Sequence, residues 1–410
     1  MRIFFIIFVI FLFLNSNSVS FANHANEPYC FDCMHKYKIG DKKNETYDFK
    51  INLQNNDLSK TVDDQIKNKK TGLVSYLLWE KNEILIDQNR KSKYRKNYPS
   101  HSVGKSLVSL VTGYAVCGGY IDSVYSNINY PTVVGTLYEN QKLINLLNMT
   151  AGDDYIIGER IFKKDNPIDG KGPNVNTIPI KKVMKKYFKD KNGQTPGVNY
   201  NYSAMTTNVI MNYVLYKTGD DWDQLLHKIF VEDAKVENRV YFAKTLDKKG
   251  KRKTANKKKG EYARYSFYAQ RYDYLRIAIM MMNHWNNDTC VGKYLKTMYE
   301  NRVEKNEGVR SKFKGNHMAT QSYGGQFHFD PIGIDRPILM MDGAYGQQLV
   351  IDFENDKIIT AHSTDRHYDY YSLIYLQLSP DLFYKPNNEQ SERPKCREYV
   401  NETQFILREC

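Results

Sequence analysis

Ser102 and Lys105 stand three residues apart at the head of the segment Ser100-His-Ser-Val-Gly-Lys-Ser-Leu-Val-Ser-Leu-Val-Thr-Gly-Tyr114. Beyond them Val103, Leu107, Leu110, Val111 and Tyr114 recur at helical spacing, and Gly118-Gly119 supplies a stop, so the segment predicts a buried helix that begins near the serine. A spacing of three puts hydroxyl and amine on one helical face, within hydrogen-bond reach. The chemistry this permits is nucleophilic attack by Ser102 with Lys105 as base. A lysine normally titrates near 10.4, and burial disfavours its charged form, so a buried Lys105 can serve as a neutral acceptor. The helix N-terminus also favours negative charge developing at the serine. The plainer alternative is a capping serine beside a surface lysine.

The same spacing occurs at Ser311 and Lys314, where Arg310, Lys312 and Gly315 replace any apolar period, so a lysine there stays hydrated and protonated. His101 invites a Ser-His scheme, but adjacent helical side chains diverge and no G-x-S-x-G elbow is present, so His101 is read as structural. Scattered histidines such as His328 show no H-E-x-x-H or clustered spacing, and no metal or organic cofactor is expected. Cys30-Phe-Asp-Cys33 has no second C-x-x-C and no thioredoxin-like surroundings, which favours a disulfide or free thiols over zinc or redox chemistry.

The elements that must position the pair are legible as periodic runs. Leu73–Trp79 and Glu83–Asp87 flank a short turn as a hairpin, and Gln348–Phe353 with Lys357–Ala361 repeats the pattern before a helix at 370–378. Between them, Leu143–Met149, Ile178–Phe188, Thr206–Lys217 and Tyr272–Trp285 carry apolar residues at helical spacing. Hairpins at both ends can share one antiparallel sheet, so an α/β body split around a mainly helical insertion is the simplest architecture.

The chain has 410 residues, 41% apolar and 26% charged, which excludes collagen-like and wholly disordered readings. Its net charge of +13 attracts anions without choosing among them. Lys248–Lys259 holds eight basic residues in twelve but no interleaved aromatics, so it reads as a solvated loop and no nucleic-acid partner is expected. Arg2 followed by twelve apolar residues, Ile3–Leu14, and the end Ser20-Phe-Ala22 reads as a secretory signal peptide, too short for a bilayer span. Export, with a periplasmic location expected, makes disulfides permissible among the six cysteines, whose fifteen pairings stay open. The expected division is 1–22 signal peptide, 23–118 first part of the α/β domain, 119–235 mainly helical domain and 236–410 second part of the α/β domain.

The Ser102 segment resembles the β-lactamase and penicillin-binding-protein superfamily of serine hydrolases, particularly its class C-like branch with esterases and 6-aminohexanoate-dimer hydrolases. In the order of that branch follow a segment ending Leu146-Leu-Asn-Met-Thr-Ala-Gly152, the tyrosine segment Tyr200-Asn-Tyr-Ser-Ala-Met-Thr-Thr-Asn-Val209, a helix Gln270–Arg276, a strand Tyr323–Phe329 and the glycine-rich strand Met341-Asp-Gly-Ala-Tyr-Gly-Gln-Gln348. The resemblance spans residues 70–380 and implies a β-lactamase-like α/β (α+β) fold, an antiparallel sheet flanked by helices plus a helical insertion. It implies Ser102 as nucleophile, Lys105 as base and Tyr202 as a second base that later protonates the leaving group. It implies an oxyanion hole from the backbone N–H groups of Ser102 and Ala344, with Gly343, Tyr345, Gly346 and Gln347 bordering substrate.

Two departures bear on the substrate. Ala204 stands where class C β-lactamases have an asparagine, and Met341 replaces the lysine of their K-T-G strand. A methionine cannot pair with the carboxylate of a β-lactam or a D-alanyl-D-alanine peptide. A small-molecule amide or ester is therefore the expected substrate, unless neighbouring lysines supply the cation. A cell-wall peptidase or β-lactamase, and a silent envelope-binding protein, are the alternatives.

Overall fold

The computed structural model describes residues 36–46, 48–68, 72–90, 97–153, 156–161, 173–189, 193–244, 263–305, 320–364, 371–379, 395–401 and 404–409. The expected signal peptide 1–22, Cys30-x-x-Cys33, the lysine-rich 248–259, Ser311–Lys314 and Cys410 lie outside them, as does the side chain of Cys396.

Among the described residues, nine strands form the main sheet. Lys357–Ser363 pairs antiparallel with Leu73–Glu80 in a register that sets Ile358 opposite Trp79, so the two terminal hairpins do share one sheet. On the C-terminal side Gln347–Asp352, Ile338–Gly343, Phe327–Pro331, Thr320–Gly324 and Val303–Glu304 follow in turn; on the other, Glu83–Asn89 and then Lys50–Ile51. All these pairings are antiparallel except that of Lys50–Ile51. A four-stranded sheet, in the order Lys36–Ile39, Val240–Lys244, Ala263–Ala269 and Tyr98–Pro99, lies beside the start of the Ser102 helix.

The alternation of strand side chains explains why the central strands are apolar almost throughout. Leu77, Trp79, Leu339, Met341, Leu349 and Ile351 face the main core with the Ser102 helix. Their neighbours Tyr76, Leu78, Ile338, Met340, Val350 and Ile359 face a second core with the helices Asp57–Lys67 and Tyr371–Leu378.

The helix Val103–Cys117 is buried from Val103 to Ala115, on every side. Such a helix must let neighbours approach its backbone. A methyl group at Gly104 would lie 2.0 Å from the Tyr265 carbonyl oxygen, and one at Gly113 would lie 2.6 Å from the Tyr294 ring. At its far end Cys117 is bonded to Cys290, which opens the helix Cys290–Glu300. Closing a loop of 173 residues restricts the unfolded chain and contributes about 5 kcal/mol in the chain-entropy treatment.

Two segments differ from expectation. Tyr323–Phe329, expected as one strand, is a hairpin: Gly325 and Gln326 both take positive φ, +57° and +67°, which reverses the chain between Thr320–Gly324 and Phe327–Pro331. The glycine-rich strand likewise ends at Gly343, and Tyr345 and Gly346 turn through φ of +63° and +74° into Gln347–Asp352. No helix among the described residues is long and apolar enough to cross a membrane.

Candidate active site

The turn that presents Ser102 is fixed from both sides. The Ser100 N–H donates to the Phe267 carbonyl at 2.7 Å, and the Phe267 N–H donates to Ser100 Oγ at 2.8 Å. His101 is held at φ +46°, a left-handed conformation uncommon for a residue with a side chain, and from there the chain enters the helix at Ser102. Ser102 occupies the N-cap position, yet its hydroxyl makes no capping bond. Instead Lys105 Nζ lies 2.9 Å from Ser102 Oγ. Lys105 is 1% exposed, which removes the reading of a capping serine with a surface lysine.

Burial has a direct electrostatic result. Desolvation pushes the Lys105 amine down to about 7, against the opposing pull of the Glu159 and Asp342 carboxylates. Near neutral pH a large share of the amine is therefore unprotonated and able to accept a proton. The amine also lies 4.6 Å from the ring centre of Tyr202 and 4.1 Å from that of Tyr265.

Tyr202 arrives from a segment clasped by Gly158. The Gly158 N–H donates to the Tyr202 carbonyl at 2.9 Å, and the Ala204 N–H donates to the Gly158 carbonyl at 2.6 Å. Ser203 then caps the helix Ala204–Thr218 through the Thr206 N–H. The buried Tyr202 phenol is hydrogen-bonded to Ser102. Burial raises its pKa above the usual tyrosine value, and the charges of Asp342 and Glu159 add to this, while the bond to Ser102 opposes it. Tyr202 thus holds its proton at neutral pH. It packs with Met149, Tyr200 and Tyr323, and its ring meets Tyr323 edge-on at 6.1 Å.

The glycine-rich turn borders the same serine. A methyl group on Gly343 would stand 2.5 Å from the Ser100 carbonyl oxygen and 3.3 Å from His101 Cβ. Tyr345, half-buried, sets its ring 5.0 Å from that of His101. Ala344, between them, is exposed, and among the described residues neither its N–H nor that of Ser102 has a hydrogen-bond acceptor. Gly343→Ala is expected to lower kcat/KM by about 100-fold, because moving a donor by even ~1 Å has that effect on a reacting centre, and to lower Tm as well, because the added methyl meets the Ser100 backbone. Turnover of the purified variant checks this.

Gln347 is a correction. Its amide nitrogen donates to the Tyr345 and Ser363 carbonyls at 3.0 and 2.8 Å, and its oxygen meets His362 Nδ1 at 2.9 Å. At 1% exposure it braces the turn from within the sheet instead of facing substrate. Gly346 serves the turn through its positive φ, whereas Gly343 is the position that needs close approach. Met341, in the place of the family's lysine, is fully buried in the main core. No motif pointed to Glu159 or Tyr265. Asp342 lay inside a recognised segment, and its charge beside the missing lysine was the available signal.

No family model matches the chain, and a search of curated proteins finds no match. Solved structures do match. A protein described as a 6-aminohexanoate-dimer hydrolase from Bacillus anthracis superposes with a TM-score of 0.62 at 14% identity, over 90% of this chain and 97% of that one. An octameric penicillin-binding protein homologue from Pyrococcus abyssi gives 0.55 at 14% identity, over 81% and 78%. A class C β-lactamase from Rhodobacter sphaeroides gives 0.53 at 12% identity, over 79% and 100%. The fold is that of the β-lactamase and penicillin-binding proteins.

Proposed function

We propose that the chain is a secreted, periplasmic serine hydrolase that cleaves a small amide or ester through an acyl-enzyme on Ser102. The observation that carries this reading is the contact of a buried, readily neutralised Lys105 amine with Ser102 Oγ at 2.9 Å, beside a protonated Tyr202. The leader at Ile3–Leu14 and the Cys117–Cys290 disulfide support an oxidising compartment outside the cytoplasm.

The reaction follows from the proton inventory. Neutral Lys105 takes the Ser102 proton as Oγ attacks the substrate carbonyl, and the oxygen that becomes negative is received by the N–H groups of Ser102 and Ala344. The tetrahedral intermediate collapses when the leaving amine or alcohol takes a proton from the Tyr202 phenol, which Lys105 can replenish. Water, deprotonated by the same pair, then cleaves the ester and returns the proton to Ser102. With its pKa raised, Tyr202 suits the donor role better than that of first base.

Met341 offers a carboxylate no cation, and the neighbouring Asp342 is itself a carboxylate, so β-lactams and D-alanyl-D-alanine peptides fit poorly. A panel of simple esters, linear amides and a labelled penicillin tests the substrate class. Turnover of esters or amides with negligible penicillin acylation is expected; fast and stable penicillin acylation would return the reading to a wall peptidase.

A further inference from the structure

The ring of Tyr265, 4.1 Å from Lys105 Nζ, is held by bonds that reach well beyond the catalytic set. Its phenol donates to Glu159 Oε1 at 3.1 Å and accepts from Asn176 Nδ2 at 3.1 Å. Asn176 Oδ1 accepts in turn from Asn208 Nδ2 at 2.9 Å, on the helix that begins two residues after Tyr202. The other Glu159 oxygen accepts from Asn174 Nδ2 at 2.9 Å. Tyr265, Asn176 and Asn208 are all buried. Glu159 belongs to an exposed turn, but its carboxylate is directed at Tyr265 and Asn174, and it follows the Gly158 that clasps the backbone around Tyr202. A single run of hydrogen bonds therefore links the strand Ala263–Ala269, the turn at Gly158 and the Tyr202 helix around one amine.

On the reading of Lys105 as the base for Ser102, we propose that Glu159 and Tyr265 form a positioning pair that fixes the Lys105 amine and decides the pH at which it releases its proton. The amine must be neutral to accept from Ser102 and cationic to return that proton. Burial alone would favour the neutral form too strongly, and a nearby negative charge restores the balance. The aromatic face of Tyr265 favours the cation as well. The groups facing Lys105 are Ser102 on its own helix, Tyr202, Tyr265 from the strand Ala263–Ala269, Glu159 from the turn, and Asp342 from Ile338–Gly343, while Arg264 beside Tyr265 acts on Glu159. Burial keeps both phenols protonated, and Arg264 stays cationic at neutral pH, so Glu159 and Asp342 supply the negative charge that acts on the amine.

The test is a titration of Lys105 by NMR in full-length protein labelled at lysine 13Cε, with the resonance assigned by its loss in Lys105→Met. In Glu159→Gln the midpoint is expected about one unit lower than in the wild type. In Tyr265→Phe, which keeps the ring and frees the carboxylate, it moves the same way by less. The acidic limb of fluorophosphonate labelling should follow. Glu159→Gln keeps the side-chain shape and an oxygen able to accept from Tyr265 or Asn174, and an unchanged thermal midpoint of the variant confirms that the fold is kept. Unchanged midpoints in both variants overturn the pair, whatever the labelling rate. Shifted midpoints in a wild type inert to acylating probes support the pair and sink the hydrolase reading instead.

Discussion

Ser102→Ala is expected to abolish covalent labelling by a fluorophosphonate and to lower turnover of any accepted ester or amide by roughly 10⁴ to 10⁶-fold, the scale on which loss of an activated nucleophile acts. The structure also predicts that this variant stays folded. A capping serine contributes about 1 kcal/mol through its bond to a backbone N–H, and Ser102 makes no such bond. Among the described residues its side-chain polar partners are Lys105 and Tyr202, and a neutral amine tolerates the loss of one acceptor. A large kinetic loss with an unchanged thermal midpoint is the expected signature. Equal rates for variant and wild type would remove Ser102 from the reaction.

The second large effect concerns Lys105. Lys105→Met keeps much of the side-chain volume and suits a site 1% exposed, so the protein should fold while acylation falls by about 10³-fold, within the usual range for a general base. Lys105→Arg keeps the charge but should not restore the rate, because a guanidinium does not give up its proton in a protein. In the wild type only the neutral amine accepts from Ser102. The labelling rate should therefore rise with pH through a midpoint close to that of the amine, pushed down to about 7, and fall away below it. Rates measured from about pH 5 to 9 check this, since the limb should vanish in Lys105→Met. Persistence of both rate and limb in that variant would assign the base elsewhere.

The parts legible in the sequence were those written in local periods. The helical run after Ser102 and the hairpins at 73–89 and 347–363 depend on neighbours a few residues away, and the structure forms each where its pattern lies. The hairpin hidden in Tyr323–Phe329 was missed because its turn, Gly325-Gln326, sits inside an aromatic run that reads as continuous strand. The last turns of the segment ending at Phe188 widen into a π-helix, which the apolar spacing does not reveal. Spacing alone left Ser102 balanced between cap and nucleophile. Only the burial of Lys105 decides between them, and burial is a property of the whole assembly. Glu159 was invisible for the same reason: its significance comes from Tyr265, more than a hundred positions away, and no motif joins them.

The sheet has a consequence for how the chain is made. Trp79 and Ile358 sit side by side within it, yet are separated by roughly 280 positions along the chain, a loop closure that slows folding and delays completion until synthesis is nearly finished. Until Lys357–Ser363 arrives, the apolar strand Leu73–Glu80 carries an open edge on which a second nascent chain can add. A chain cut short before that strand would keep the open edge permanently, and should collect in aggregates instead of surviving as a smaller soluble protein.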